Sequence, residues 1–179
     1  MTKFALMIDI ETLALSPQAA VTQVGFCCAD VETRLYTVPA HALLLNPNDQ
    51  KREIDFGTVQ WWMQQDRSVA AGVFSTKATR VHHDHAFNVL QSIVREHENC
   101  EVWASPAMFD LPILTSLWGG KKPWSYTMER DLMTLYKLLD PDKQLRPKDN
   151  ACAHDAAADA HWQMEYLMNL WAHRARVSV

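Results

Sequence analysis

Residues 4–12 have the sequence FALMIDIET, an apolar run that is interrupted near its end by two carboxylates. The run over 4–10 predicts a buried central strand, because a short continuous apolar segment is typical of a strand covered on both faces. Residues i and i+2 of a strand share a face, so Asp9 and Glu11 are expected to point the same way. Buried carboxylates are costly unless a cation compensates them, and a divalent metal with oxygen ligands would do so.

The same Asp-x-Glu spacing recurs at Asp30 and Glu32, and its context separates the two pairs. The polar residues 30–33 lie between two further strand candidates, 21–28 and 34–38, and predict a hairpin turn. Carboxylates in such a turn are solvated and need no metal. The first pair is therefore distinguished by its buried strand and not by its spacing.

The rest of the chain alternates helical and strand patterns. A short strand is predicted over 102–104, and loops over 46–55 and 140–150. Helices are predicted after a cap at Thr58 and over 85–98, 109–118, 131–139 (capped by Asp131) and about 153–173. Three strands followed by this alternation indicate an α/β fold with a mixed sheet. We interpret residues 1–179 as a single domain, which at this length can bury a core without disulfides.

Composition excludes several classes of protein. The chain has 48% hydrophobic residues, which is ordinary for a globular protein and excludes disorder, collagen and coiled coil. No apolar run approaches the roughly 20 residues of a membrane span, and the N-terminus does not have the pattern of a signal peptide. The net charge of −4 argues against nucleic-acid binding by bulk positive charge. Because no apolar run is long enough to span a bilayer, we expect no membrane partner.

The cysteines indicate a reducing compartment. Cys27 and Cys28 are adjacent, while Cys100 and Cys152 stand alone, so no zinc-binding spacing is present. Small buried thiols of a cytoplasmic protein are the expected interpretation.

Two later segments add further acidic residues. Asp110 follows the strand 102–104 and falls in the first turn of a predicted helix, where an acid also simply favours the helix dipole. His154 opens the last helix, and Asp159 lies five residues later, with small alanines between them that would let the helix approach the sheet closely. Each segment alone is also explained as an ordinary helix start with acidic residues. Taken together, the three acidic segments and the histidine resemble the site of a metal-dependent phosphodiesterase.

At this point the sequence resembles the DnaQ-like 3′–5′ exonucleases of the DEDDh type. Their motifs are Asp-x-Glu on the first strand, an Asn-x-x-x-Phe-Asp-like segment in mid-chain and His-x-x-x-x-Asp near the end. These motifs are matched in order by Asp9, Glu11, Asp110, His154 and Asp159. The resemblance implies a ribonuclease-H-like fold, with a mixed five-stranded sheet flanked by helices. The sequence departs from the family pattern at two places: Ser105 replaces the usual Asn, and the common Gly after Glu-Thr is absent.

Two finer similarities point to a branch that contains small phage exonucleases and related bacterial exoribonucleases. Residues 58–65, TVQWWMQQ, resemble the Thr-x-x-Trp-Trp segment of that branch, and Arg130-Asp131-Leu132 resembles its Arg-Asp-hydrophobic element. The resemblance implies a cytoplasmic location, in a bacterial cell or a phage-infected host.

The resemblance also implies a mechanism with two Mg²⁺ or Mn²⁺ ions. Asp9 would bridge them, Glu11 and Asp159 would complete the shell of the first, and Asp110 would hold the second through water. His154 would deprotonate the attacking water, releasing nucleoside 5′-monophosphates.

The expected substrate is a single-stranded 3′ end, with DNA favoured over RNA. Thr12 and Leu13 would lie against the terminal nucleotide, Phe109 would flank a base, and Trp61 would stack on one. Helical phasing instead places Trp62 in the core. Residues 118–148 hold seven Lys or Arg against four acids and are a candidate for phosphate contact. A homodimer is a further expectation from the family.

Two alternatives come from other classes. A non-catalytic nucleic-acid-binding module on the same fold would be expected to have lost a ligand or the histidine, and none is lost here. A zinc hydrolase built on His82, His83, Asp84 and His85 is weaker, since residues of one helix start do not converge on one ion. That cluster is interpreted as a solvated helix start.

Overall fold

A five-stranded mixed sheet forms the centre of the chain in the computed structural model, which describes residues 4–148 and 153–177, with side chains to residue 174. The strands are β1 Phe4–Thr12, β2 Val21–Asp30, β3 Leu35–Leu44, β4 Glu101–Ala104 and β5 Glu129–Asp131. Their order is β3-β2-β1-β4-β5. β1–β2 and β2–β3 pair antiparallel, whereas β1–β4 and β4–β5 pair parallel. The predicted mixed sheet is confirmed.

The described ranges contain six α-helices, four of which pack on the two faces of the sheet. The six helices are α1 Phe56–Met63, α2 Arg67–Phe74, α3 His83–Glu96, α4 Ala107–Leu117, α5 Leu132–Leu139 and α6 Ala156–Val177. One core contains buried residues of α3 and α4, and the other contains buried residues of α5 and α6. Within the described ranges, no helix has both the length and the apolar character needed to cross a bilayer.

The alternation along β1 decides where its carboxylates point. Leu6, Ile8 and Ile10 belong to the core under α3 and α4, whereas Ala5 and Met7 belong to the core under α6. Because side chains of a strand alternate between faces, the residues at positions 9 and 11 continue the α6 side. The strand therefore presents both carboxylates to its longest covering helix.

Helix α6 approaches the sheet very closely at its first turn. Gly25 of β2 pairs in register with Asp9. A Cβ atom placed on Gly25 would lie 1.9 Å from the backbone oxygen of Ala156, so only glycine allows this approach. Ala156 and Ala160 are fully buried. The predicted close approach of an alanine-rich helix start is confirmed.

Several predicted boundaries are corrected. β3 extends to Leu44, and α2 and β5 were not predicted as elements. The cap of α1 is Asp55 and not Thr58, because the Asp55 carboxylate accepts a hydrogen bond from the Thr58 backbone N–H. Asp131 caps α5 as predicted. The corrected cap lies in a polar segment, where hydrophobic periodicity carries no information.

The thiols of Cys27, Cys28 and Cys100 are free and buried, as the sequence predicted. Cys152, like residues 149–151, lies outside the described residues. The buried thiols contribute apolar packing on both sides of the sheet.

Candidate active site

Three of the predicted carboxylates meet where β1 ends. Asp9 and Glu11 come from the α6 side of β1, and Glu11 is only 8% exposed. Asp110, in the first turn of α4, is 2% exposed, and its Oδ1 accepts a hydrogen bond of 3.1 Å from the backbone N–H of Ile10. This bond connects the start of α4 to the middle of the Asp-x-Glu motif, so the two motifs are held together by the main chain.

The first turn of α6 and the residues before it supply the remaining two groups. His154 lies in the left-handed region with a φ of 68°, and its backbone N–H donates a 2.7 Å hydrogen bond to Oδ2 of Asp159. One ligand atom each of Glu11, His154 and Asp159 lie within 4.8 Å of one another. The five residues of the predicted set are thus brought to one place.

Crowding of these carboxylates raises their pKa values. Burial, followed by the charges of Asp110, Glu11 and Asp159, raises the pKa of Asp9 well above its usual range. Burial raises the pKa of Glu11 to about 8, with further contributions from Asp159, Asp110 and Asp155. Burial also raises the pKa of Asp110 to about 7. Burial therefore disfavours the ionised form of each carboxylate.

The donor set fits a hard divalent cation. Oδ2 of Asp110 is buried and has no hydrogen-bond partner in the part of the chain that the structure describes. An orphaned, buried carboxylate oxygen beside other carboxylates is the environment that Mg²⁺ or Mn²⁺ occupies through oxygen ligands. The residues that could hold such ions are Asp9, Glu11, Asp110 and Asp159.

Sequence reasoning missed Gln163. Its Nε2 donates a 2.7 Å hydrogen bond to Oδ1 of Asp9, and the residue is 6% exposed. The available signal was its spacing, because Gln163 follows Asp159 by four residues and so shares its face of α6. A buried amide on the face that carries a predicted ligand marks a residue that supports that site.

A cavity of about 440 Å³ opens beside the carboxylates. It is bounded by the end of β1, the loop after it, the start of α1 and the start of α4. Its lining includes the predicted residues Thr12, Phe109 and Trp61, together with Glu11. Trp61 is 42% exposed, whereas Trp62 is 2% exposed and donates from Nε1 to the Thr12 carbonyl over 2.8 Å. The predicted division between an accessible and a buried tryptophan is confirmed.

The prediction for Leu13 is corrected. Leu13 is 5% exposed and packs in a small core cluster with Ala20, Trp62 and Val73. Leu15, which is 77% exposed, lines the cavity instead. The chain bends after Thr12, where the pairing of β1 with β2 shifts in register, so the alternation of a regular strand no longer applies.

The histidine cluster lies elsewhere, at the start of α3 on the opposite face of the sheet. His82 caps this helix by accepting a hydrogen bond from the Asp84 backbone N–H. The side chains of His82 and Asp84 are 51% and 71% exposed, and ligand atoms of His82, His83 and Asp84 lie within 4.8 Å of one another. The predicted helix start is confirmed for the exposed His82 and Asp84, but the prediction is wrong in two respects: the His83 side chain is only 19% exposed, and the three ligand atoms do converge.

The basic stretch 118–148 is partly neutralised within the fold. Nζ of Lys122 lies 2.6 Å from Oε1 of Glu129, and the guanidinium of Arg130 lies 2.9 Å from Oε1 of Glu101. These pairs leave less net charge for phosphate contact than the residue count indicates.

Comparison with solved structures shows the same fold. S. pombe Pop2p, in a form with bound Mg²⁺ and Mn²⁺, matches with a TM-score of 0.63 at 10% identity, covering 94% of this chain and 82% of that chain. The nuclease domain of 3′hExo, a DEDDh family member bound to rAMP, matches with a TM-score of 0.63 at 8% identity, covering 96% and 92%. A 3′-exonuclease that recognises the 3′ end of a histone mRNA stem-loop matches with a TM-score of 0.65 at 8% identity, covering 96% and 82%. The ribonuclease-H-like fold that the sequence predicted is thereby confirmed.

Comparison at the level of sequence identifies the family. No curated protein is similar enough in sequence to count as a relative. Residues 4–171 match the family model described as the 3′-5′ exoribonuclease Rv2179c-like domain, which spans nearly the whole chain. The chain belongs to this family and is a 3′–5′ exonuclease.

Proposed function

We propose that the chain removes nucleotides one at a time from the 3′ end of single-stranded RNA, releasing nucleoside 5′-monophosphates with two bound divalent ions. The observation that carries this proposal is the convergence of Asp9, Glu11, Asp110 and Asp159 with His154 at the mouth of one cavity. The cavity is open on one side, so a terminal nucleotide can enter while the chain behind it stays outside.

The four carboxylates Asp9, Glu11, Asp110 and Asp159 would hold the Mg²⁺ or Mn²⁺ ions. Bound ions of this kind polarise the phosphodiester, lower the pKa of water and stabilise the leaving oxygen. The raised pKa values of Asp9, Glu11 and Asp110 support this role, because a bound cation would offset the burial that raises them.

His154 acts as the general base. Its imidazole lies beside Glu11 and Asp159, and histidine is the side chain that most often serves as a general base. The backbone hydrogen bond to Asp159 holds the residue next to the ligands while leaving the ring to accept a proton from water.

RNA is the proposed polymer. The sequence alone favoured DNA, and that preference finds no support in the comparisons. The family description names an exoribonuclease, and two of the similar structures bind rAMP or an RNA stem-loop. The ribose 2′-hydroxyl is the group that distinguishes the two polymers.

The direct experiment is digestion of matched RNA and DNA oligonucleotides, labelled at either end, with Mg²⁺, Mn²⁺ or EDTA. We expect stepwise shortening from the 3′ end, faster on RNA, that both EDTA and Asp9→Asn abolish. Glu32→Ala is the matched control, since Glu32 belongs to the second Asp-x-Glu pair and is exposed. Its partner Asp30 is buried, contrary to the prediction of a solvated pair, at the end of β2 that pairs with Phe4. Activity retained in Asp9→Asn would contradict the site, whereas faster digestion of DNA would contradict only the choice of polymer.

The role of His154 has its own test. We expect His154→Ala to lower kcat by roughly 10²-fold or more, as removal of a general base does, while Mn²⁺ binding measured by calorimetry changes little. An equal loss of Mn²⁺ binding would instead identify His154 as a metal ligand.

A further inference from the structure

The imidazole of His154 is surrounded by aromatic rings. The ring centroids of Trp61 and His154 are 4.9 Å apart with an angle of 89° between the ring planes. Those of Trp62 and His154 are 6.2 Å apart at 87°. The two indoles also contact each other, 5.0 Å apart at 75°. All three contacts have the edge-to-face geometry that aromatic pairs favour.

Polar contacts alone leave the ring of His154 unfixed. Its backbone is anchored to Asp159, but within residues 4–148 and 153–177 no side chain hydrogen-bonds to its imidazole. A general base usually has such a partner to set its orientation. The contacts with Trp61 and Trp62, named here the indole pair, take that place.

The indole pair is itself fixed to the metal-binding strand. Trp62 is buried and donates from Nε1 to the carbonyl of Thr12, the residue that follows Glu11. Its ring packs with Leu13, Ala20 and Val73. Trp62 therefore connects the position of the His154 side chain to the end of β1, where two of the proposed metal ligands lie.

We propose that Trp61 and Trp62 are positioning residues that hold the imidazole of His154 in its working orientation, and that this is the main contribution of Trp61 to turnover. The inference rests on the proposed function, because it requires His154 to be the base. It changes the sequence-based prediction for Trp61, which was stacking on a base of the substrate.

Steady-state kinetics on a short single-stranded RNA distinguish the two roles of Trp61. If it positions the base, Trp61→Leu lowers kcat by about tenfold or more and leaves KM within about twofold, since a small misplacement of a catalytic group is costly. If it stacks on substrate, KM rises and kcat is preserved. Trp61→Phe retains an aromatic ring and should recover most of the lost kcat.

A double-mutant comparison gives a second, independent readout. In the His154→Ala background there is no imidazole to position, so adding Trp61→Leu should not lower kcat further. A further fall equal to that seen in the wild-type background overturns the inference. Phe56→Leu is the matched control, because Phe56 is an aromatic residue of the same helix, 74% exposed, with unchanged kinetics expected.

An NMR measurement tests the contact between Trp61 and His154 without relying on enzyme activity. The Hε1 resonance of His154, identified by its loss in His154→Ala, should shift in Trp61→Leu because the ring current of the indole is removed. An unchanged resonance overturns the contact. If His154→Ala proves fully active, the proposed base fails, whereas an inactive His154→Ala with a fully active Trp61→Leu refutes only the positioning role.

Discussion

Gln163 donates a hydrogen bond from Nε2 to Oδ1 of Asp9 over 2.7 Å, and it does so from inside the core. This bond lowers the pKa of Asp9 against the burial and neighbouring charges that raise it. A neutral donor at this position stabilises the ionised carboxylate without competing for the cation. Gln163 therefore orients one of the proposed metal ligands.

We expect Gln163→Met to weaken Mn²⁺ binding and to lower activity, each by roughly 10–100-fold, because outer partners of metal ligands contribute on that scale. Methionine keeps the length and burial of the side chain while removing the donor. Calorimetric titration with Mn²⁺ and initial rates on RNA measure the two effects. Gln144→Met is the control, since the Gln144 amide bonds only to an exposed backbone oxygen. Wild-type Mn²⁺ affinity in Gln163→Met would show that the hydrogen bond has no part in metal binding.

The metal-free protein should lose stability as the pH rises. The folded-state pKa of Glu11, about 8, lies above its ordinary value of 4.5, and that of Asp110, about 7, lies above 3.8. The folded state therefore binds more protons than the unfolded state across this window, so stability is greatest below it and declines as the pH rises to about 8. Thermal unfolding in EDTA at several pH values measures this decline.

Divalent metal should reverse that trend. Mg²⁺ or Mn²⁺ replaces the protons on the carboxylates, so the rise in Tm on adding metal should be larger near pH 8 than near pH 5. A rise that is independent of pH would mean that metal binds away from Glu11 and Asp110.

Asp110→Asn should stabilise the metal-free protein while abolishing activity. The asparagine Oδ1 can still accept the hydrogen bond from Ile10 N–H, and the unpartnered buried oxygen is replaced by an uncharged group. The gain in Tm over wild type should grow between about pH 4 and about pH 7, the window set by the raised pKa of Asp110, and then level off. A loss of Tm across this range would show that the carboxylate stabilises the fold. Nuclease assays on the same samples test the loss of activity.

Much of the fold could be predicted, because the spacing of apolar residues indicates which face of a strand or helix is buried. The run through β1 predicts a buried strand, and the phasing of α1 correctly places Trp62 inside and Trp61 outside. The three-residue strand β5 has no apolar pattern, since its residues Glu129, Arg130 and Asp131 are all polar. Its strand conformation comes from pairing with β4, which is a tertiary effect.

The site was predicted at the level of motifs and not of contacts. Asp9, Glu11, Asp110, His154 and Asp159 could be named because they match, in order, the motifs of the family that the sequence resembles. The pairing of β1 with β2 shifts in register between Glu11 and Thr12, and beyond this point Leu15 lines the cavity and Leu13 does not. A single sequence does not show such a shift.

The close approach of α6 to β2 gives the last prediction. Gly25→Ala places a methyl group 1.9 Å from the Ala156 backbone oxygen, so the start of α6 must move away from the sheet. That movement displaces Asp159 relative to Asp9, which is the register partner of Gly25. We expect a loss of folding stability toward the upper end of roughly 1–3 kcal/mol, together with weaker Mn²⁺ binding. Chemical unfolding and calorimetry measure the two losses. Unchanged stability of Gly25→Ala would mean that α6 does not depend on the bare backbone of Gly25 for its position.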